Sequence, residues 1–283
     1  MRSRPPTRPT GADGRADQRG CVAVAPGTGA AAMLTADVAP GIHRVEDAFV
    51  NWYLVEADDG LLLVDAGLTD SRRSLAEALR RLGRRADAIG ALVLTHAHFD
   101  HVGFAEFARV RLGVDVWVHD DDVPLARKPR QYTREGSLAR CLAAHPDGAR
   151  IVGAMGLRGA FLAPGVRAVR RFSGDGRTMP PLPLPGAPVP VHSPGHTLGH
   201  VALHFPDRDT LIAGDALVTL DPYTGATGPR IVARAATADS ERALRSLDAL
   251  ADTGATTVLP GHGEPWRDGV GEAVARARAA GVA

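Results

Sequence analysis

Residues 94–101 read LTHAHFDH and crowd three imidazoles and a carboxylate, His96, His98, Asp100 and His101, into six positions. Imidazole and carboxylate are the usual nitrogen and oxygen ligands of divalent metals. An apolar run, ALVLT at 91–95, leads into the cluster. The cluster therefore lies just past the carboxyl end of a buried strand, where open α/β sheets hold their ligands. On extended chain His96 and His98, at i and i+2, project to one side. Asp100 and His101 then fall in the turn entering the next helix. One short loop cannot easily wrap an ion tetrahedrally, so donors are expected from elsewhere. Three loops offer them: SPGHTLGH gives His196, LIAGDAL gives Asp215, and VLPGHGEP gives His262. Each follows an apolar run and has a glycine beside the donor, which lets the backbone turn sharply and approach a site closely. Seven donors are too many for one ion and suit two.

The elements that must position these loops alternate along the chain. HRV, NWYLVE and LLLVDAG read as strands, with a turn signal at DDG, 58–60. Residues 71–82 read as a helix capped by Ser71, carrying Leu75, Leu79 and Leu82 at helical spacing and stopped by Gly83. FAEFARVRL predicts a second helix and DVWVH, 115–119, another strand. Residues 120–165 are less regular and partly helical, and 166–213 hold several short strands. A helix over about 238–251 sets Leu244, Leu247 and Leu250 on one face. TTVLP and a last helix from about 269 follow. Strands cluster with helices in both halves, which predicts two sheets packed face to face and covered by helices.

Composition excludes little beyond the extremes. The chain has 283 residues, 45% apolar and 23% charged, with a net charge of +1, so nothing in its bulk charge favours nucleic acid or an anionic membrane. Residues 1–32, rich in Arg, Pro and Gly, are expected to form a disordered tail. Residues 33–283 are expected to form a single domain. The weak apolar stretch at 21–34 is broken by Pro26 and too short to span a bilayer, so a cytoplasmic location is expected. GTGAAA at 27–32 has no strand before it and no crossover helix after it, and is not a dinucleotide site. Cys21 and Cys141 form no metal-type pair and no disulfide framework.

THAHFDH, SPGHTLGH, AGDA and PGHG, in that order, resemble the metallo-β-lactamase superfamily, above all its glyoxalase II-like hydrolases. LLLVDAGL resembles the family's first motif, ending in Asp65. The resemblance covers roughly 38–280. It implies an α/β fold, a four-layer αββα sandwich with the metal site at one edge between the sheets. It implies that His96, His98 and His196 bind one metal, that Asp100, His101 and His262 bind a second, and that Asp215 bridges them. One departure is visible: the family often has two glycines after the first motif, and here Gly103 is followed by Phe104, which bears on pocket shape. Ligating histidines need an acceptor for their other ring N–H, and Asp65 suits that role. Thr95 and Thr197 are weaker candidates of the same kind, and His200 is a candidate for holding the site from behind or touching substrate. His43, His145, His192 and His204 read as structural or exposed, and His119 as packing.

Two adjacent cations would deprotonate a bridging water near neutral pH and polarise a carbonyl, so no serine nucleophile is needed. No G-x-S-x-G occurs. Asp100 is expected to orient the water and shuttle a proton. The resemblance implies two divalent ions, zinc first with iron or manganese as alternatives. Asp215 argues against the β-lactamases proper, which carry Cys or Ser there. His98 argues against the flavodiiron oxygen reductases, which carry Glu. Only 21 residues follow His262, too few for the glutathione-binding domain of glyoxalase II. The lactonases' tyrosine has its counterpart position at Val218, with Tyr223 near. ARKPRQYTREGSLARCL, 126–142, is read as a solvated basic face, with a cap over an anionic substrate as the minority reading. The expectation is a hydrolase of a small thioester or lactone, with no nucleic acid or membrane partner and the oligomeric state left open. A mononuclear-iron sulfur dioxygenase is the alternative, and a phosphodiesterase or nuclease the lesser one.

Overall fold

The computed structural model describes residues 32–174 and 179–283. The expectations for the N-terminal tail and for GTGAAA fall outside the described residues, except that Ala32 packs against a core cluster.

Seven strands form the first sheet in sequential order. They are β1 (Met33–Ala39), β2 (Ile42–Asp47), β3 (Val50–Ala57), β4 (Gly60–Val64), β5 (Ile89–Val93), β6 (Asp115–His119) and β7 (Arg170–Phe172). β1 to β4 are an antiparallel meander, and β4 to β7 are parallel. The parallel crossovers need helices. These are α1 (Ser71–Arg81), then α2 (Ala105–Phe107), which runs on as a π-turn to Leu112, then α3 (Val123–Arg127), α4 (Leu138–Ala144) and α5 (Pro146–Leu157). The second sheet is built from β8 (Val189–His192), β9 (Val201–Phe205), β10 (Thr210–Gly214) and, after a β11–β12 ribbon (Val218–Leu220 and Thr227–Arg230) and α6 (Ser240–Ala251), β13 (Thr257–Pro260). Its spatial order is β13-β10-β9-β8. α7 (Val270–Ala280) closes the chain.

Side-chain alternation makes this a four-layer αββα sandwich. Leu62 and Val64 of β4 point into the core between the sheets, where they meet Val201, Leu203, Ile212 and Leu259. Leu61 and Leu63 point the other way, onto Leu75, Ala78 and Leu79 of α1. Ala202, Leu211 and Val258 leave the far face of the second sheet for Leu247 and Leu250 of α6 and Ala273 and Val274 of α7. Strands buried on both faces read as continuous apolar runs, and LLLV does. Among the described residues, no helix is long and apolar enough to cross a membrane.

Three local expectations are corrected. Ser71 is the first residue inside α1 rather than its cap, and Asp70 holds the cap position without a side-chain bond. Ser71 instead donates to the buried Asp47 carboxylate, which also takes a bidentate Arg158. β1 escapes a pattern reading because it is a half-exposed edge strand, bent between Thr35 and Ala39. FAEFARVRL is a short helix that widens into the π-turn and stops at the left-handed Gly113.

Leu62 is fully buried in the inter-sheet core. Leu62→Ala should cost ~2–5 kcal/mol of unfolding free energy in urea melts, the usual cost of such a core truncation.

Candidate metal centre

In the first sheet β4, β5 and β6 run the same way, and the loops after them carry Asp65, the 94–101 cluster and Asp122. In the second sheet β8 and β10 share a direction, since each is antiparallel to β9, and β13 is parallel to β10. The loops after these strands carry His196, Asp215 and His262. Strand direction gathers the donors at one end of each sheet, and the packing of the sheets brings those ends together at one rim.

The donor atoms of His96, His98 and His196 lie within 4.8 Å of one another, as do those of His96, His101 and Asp215, and those of Asp100, His101 and His262. Asp215 sits at the centre. Its carboxylate lies 3.8 Å from His96 Nε2, 3.4 Å from His196 Nε2, 3.6 Å from His101 Nε2 and 3.3 Å from His262 Nε2. Asp100 lies 3.4 Å from His262 Nε2. All seven residues are at most 3% exposed. The Nε2 atoms of His96, His98, His101, His196 and His262, with Oδ1 of Asp100 and of Asp215, are buried and have no hydrogen-bond partner. Gly261 makes room for this: a Cβ there would lie 2.0 Å from Asp215 Oδ1.

Four of the five opposite ring nitrogens are tied down. His101 Nδ1 donates to Asp65 at 3.0 Å, and His262 Nδ1 donates to the Phe49 carbonyl at 2.7 Å. Thr95 Oγ1 donates to Asp65 and stands 3.1 Å from His96 Nδ1, so it accepts the His96 ring proton. Thr237 Oγ1 donates to the Val232 carbonyl and faces His196 Nδ1 at 3.3 Å in the same way. Such tethers fix the tautomer and aim Nε2 inward. Asp65 holds its place with a left-handed φ of 62° and also accepts the Thr95 N–H. His200 offers nothing to the cluster. Its Nε2 accepts the backbone N–H groups of Asp215 and Ala216, its Nδ1 bonds Ser193 Oγ, and its ring stacks on His96 at 5.0 Å. It positions Asp215 from behind. Burial brings its pKa down to about 3, as suits a ring that accepts two bonds.

Charge is divided unevenly across the cluster. Burial, then the neighbouring imidazoles, holds His96 well below the ordinary histidine value, and burial is also the main cause for His196. Burial brings His98 down to about 4. Burial also opposes a charge on His101, but Asp215, Asp100 and Asp65 outweigh it and raise the pKa to about 9. Against burial, Asp215 and Asp100 raise His262 well above the ordinary value. Burial opposes ionisation of Asp215, yet His262 and His101 hold it well below the carboxylate range. The side holding Asp100, His101 and His262 thus demands positive charge, and protons supply it when metal does not.

Several expectations change in detail. Thr197 holds no ligand ring; its hydroxyl donates to Asp122 at 2.8 Å. The basic run 126–142 is not one solvated helix face, because Tyr132 lies on the loop between α3 and α4 with its ring 4.5 Å from His98. Phe104 turns away from the site and packs edge-on against Trp52 at 5.2 Å, so it does not shape the pocket. The sequence reading missed Thr237, the Phe49 carbonyl, Asp122 and the role of Tyr132. No spacing rule links them to the ligands. Tyr223, fully buried, has its hydroxyl held well above the ordinary value by burial and then by Asp100. A further trio, His119, Asp121 and His192, also places its donors within 4.8 Å. There the two rings stack at 4.7 Å and 21°, so their in-plane lone pairs run side by side and do not converge. That trio is packing.

An αββα sandwich with a buried His/Asp cluster at its rim defines a metal-site protein class. The family model for the metallo-beta-lactamase superfamily matches residues 45–262, and the chain belongs to that superfamily. It is 27% identical over 248 residues to a probable metallo-hydrolase, YflN, of Bacillus subtilis, covering 81% of this chain and 86% of that one. It is 27% identical over 242 residues to the acyl-coenzyme A thioesterase MBLAC2 of Gallus gallus, covering 78% and 77%. Among solved structures, TTHA1623 in a di-iron-bound form superposes with a TM-score of 0.56 at 29% identity, covering 81% of this chain and 93% of that one.

Two predictions follow from the tethers and the charge. Asp65→Ala frees the His101 ring and should weaken metal binding by ~10–100-fold, read by competition with a chromophoric chelator. The neighbouring carboxylates raise His101 to about 9 and His262 well above the ordinary histidine value, so metal binding there displaces protons. Zinc added to metal-free protein at about pH 7.5 should therefore release protons into a weakly buffered indicator solution. Its affinity should climb with pH until His101 is neutral, near 9.

Proposed function

We propose that this chain is a binuclear metal-dependent hydrolase of a small ester-like substrate, a thioester or a lactone. The observation that carries the reading is the convergence of seven buried, partnerless donor atoms around Asp215. Nitrogen and carboxylate donors without thiolate fit zinc, and also iron or manganese. His96, His98 and His196 would hold a first ion, Asp100, His101 and His262 would hold a second, and Asp215 is placed within reach of both groups. When bound, the ions supply a Lewis acid for the substrate carbonyl and a water acidic enough to act as nucleophile near neutral pH. The chain supplies the rest. Tethered Nδ1 atoms keep four imidazoles, those of His96, His101, His196 and His262, aimed inward. Asp100, with one oxygen near His262 and the other partnerless, orients the water and carries its proton to the leaving group. Tyr132 walls the His98 side of the site, its ring 4.5 Å from that of His98. The thioester choice is supported by similarity to a relative named as an acyl-coenzyme A thioesterase. Two metals are supported by similarity to a di-iron structure.

A panel of thioesters, lactones and a phosphodiester reporter tests the substrate class, with turnover expected on the first two. With the substrate so found, a single turnover in ¹⁸O-water should place label in the product acid and none in the protein. Oxygen consumption matching turnover would instead move the chain to the sulfur dioxygenases. Cleavage of the phosphodiester alone would make it a phosphodiesterase. Asp215→Ala should lose bound metal and turnover together, by more than ~100-fold in rate, since one side chain serves both ions.

A further inference from the structure

We propose that Asp122 is a positioning residue that sets the spacing between the two loops of the first metal triad, and so the affinity of that one site. The inference rests on the assignment of His96, His98 and His196 to a single ion. Asp122 ends the short turn that follows β6 in the first sheet and is 1% exposed. Its Oδ2 accepts the N–H of Ala97, the residue between His96 and His98, at 3.0 Å. The same oxygen accepts the hydroxyl of Thr197, the residue after His196, at 2.8 Å. Its Oδ1 accepts the N–H of Gly199 at 2.8 Å. One carboxylate therefore binds the loop after β5 and the loop between β8 and β9, which belong to different sheets.

The fit is close on both sides. A Cβ on Gly199 would lie 2.6 Å from Asp122 N and 2.9 Å from Asp122 Oδ1, so only glycine lets the His196 loop come this near. A backbone bond from Val201 N to the Thr95 carbonyl at 2.8 Å also joins these loops. That bond lies before His96, whereas Asp122 holds Ala97, between His96 and His98. Among the described residues, the tethers of the second triad come from elsewhere: His101 is held by Asp65, and His262 by the Phe49 carbonyl. Loss of Asp122 should therefore separate the two sites. The gap between His98 and His196 would widen, while Asp100, His101 and His262 would keep their tethers. This selectivity distinguishes a strut for one site from a general support of the fold.

The test titrates metal-free protein with cobalt(II), followed by its d–d absorption, and with zinc(II) against a chelator, without substrate. Wild type should bind two ions. Asp122→Ala should weaken one ion by ~10–100-fold and change its cobalt spectrum, with the other ion within ~3-fold. Asp122→Asn keeps an acceptor for Ala97 and Thr197 but turns an amide donor toward the Gly199 N–H, and should recover part of that loss at the same site. Thr197→Val, which removes one donor without changing shape, should give a smaller loss at the same site. Equal weakening of both ions would overturn the proposal. So would full affinity at both sites in Asp122→Ala, with only a lower melting temperature. If Asp122→Ala fails to fold, Asp122→Asn and Thr197→Val decide in the same way. Wild type that binds no metal would instead count against the proposed function.

Discussion

A buried polar atom without a partner is expensive, and this fold gathers seven of them at one place. Each unpaired group costs about 1–3 kcal/mol. Seven together would rival the whole net stability of a domain, about 5–15 kcal/mol. With the ring protons on Nδ1, imidazole Nε2 atoms and carboxylate oxygens are all acceptors; His262 and His196 stand 3.3–3.4 Å from the carboxylates of Asp215 and Asp100 and cannot satisfy them. The pair of divalent cations proposed above would answer the whole set. The metal centre is thus where the stability of the rim and the chemistry of the site become one requirement.

Much of the surrounding structure serves that requirement. Three strands of the second sheet share a direction so that their following loops can deliver His196, Asp215 and His262. The His262 loop is pinned from the first sheet. Asn51 Nδ2 donates to the carbonyls of Pro260 and Gly263, Tyr53 donates to Pro260, and the buried Arg44 pairs with Glu264. On the other side Asp65 and Asp122 each collect neutral backbone donors from the loops that carry the ligands. The two sheets are joined by apolar packing in their middle and by hydrogen-bonded carboxylates and carbonyls at the rim.

The sequence made the donors legible because metal ligation restricts residue type more tightly than packing does. His and Asp next to glycine after an apolar run are rare by chance, and all of HAHFDH, PGHT, AGDA and PGHG stood out. Asp65 was legible too, as a carboxylate at a strand end. Thr237 and the Phe49 carbonyl were not, since a hydroxyl or a backbone oxygen accepts a ring N–H from any point in the chain. Asp122 lay hidden in the run DDD, where a solvated acidic turn is the ordinary reading. Tyr132 was visible only as one aromatic among basic residues, because its contact with His98 depends on how the loop after α3 folds back. The strands of LLLV and TLIAG were plain from their apolar runs. The edge strand β1 was not, because half of its side chains face water.

The central claim is that one carboxylate, Asp215, stands between two cations. The most direct measurement is a crystal structure of the purified protein with anomalous scattering recorded at the absorption edge of the metal found by elemental analysis. Two anomalous peaks, one on each side of Asp215 and each reached by three of the other ligands, would bear the account out. A single peak at His96, His98 and His196, with the other three donors turned away, would contradict it.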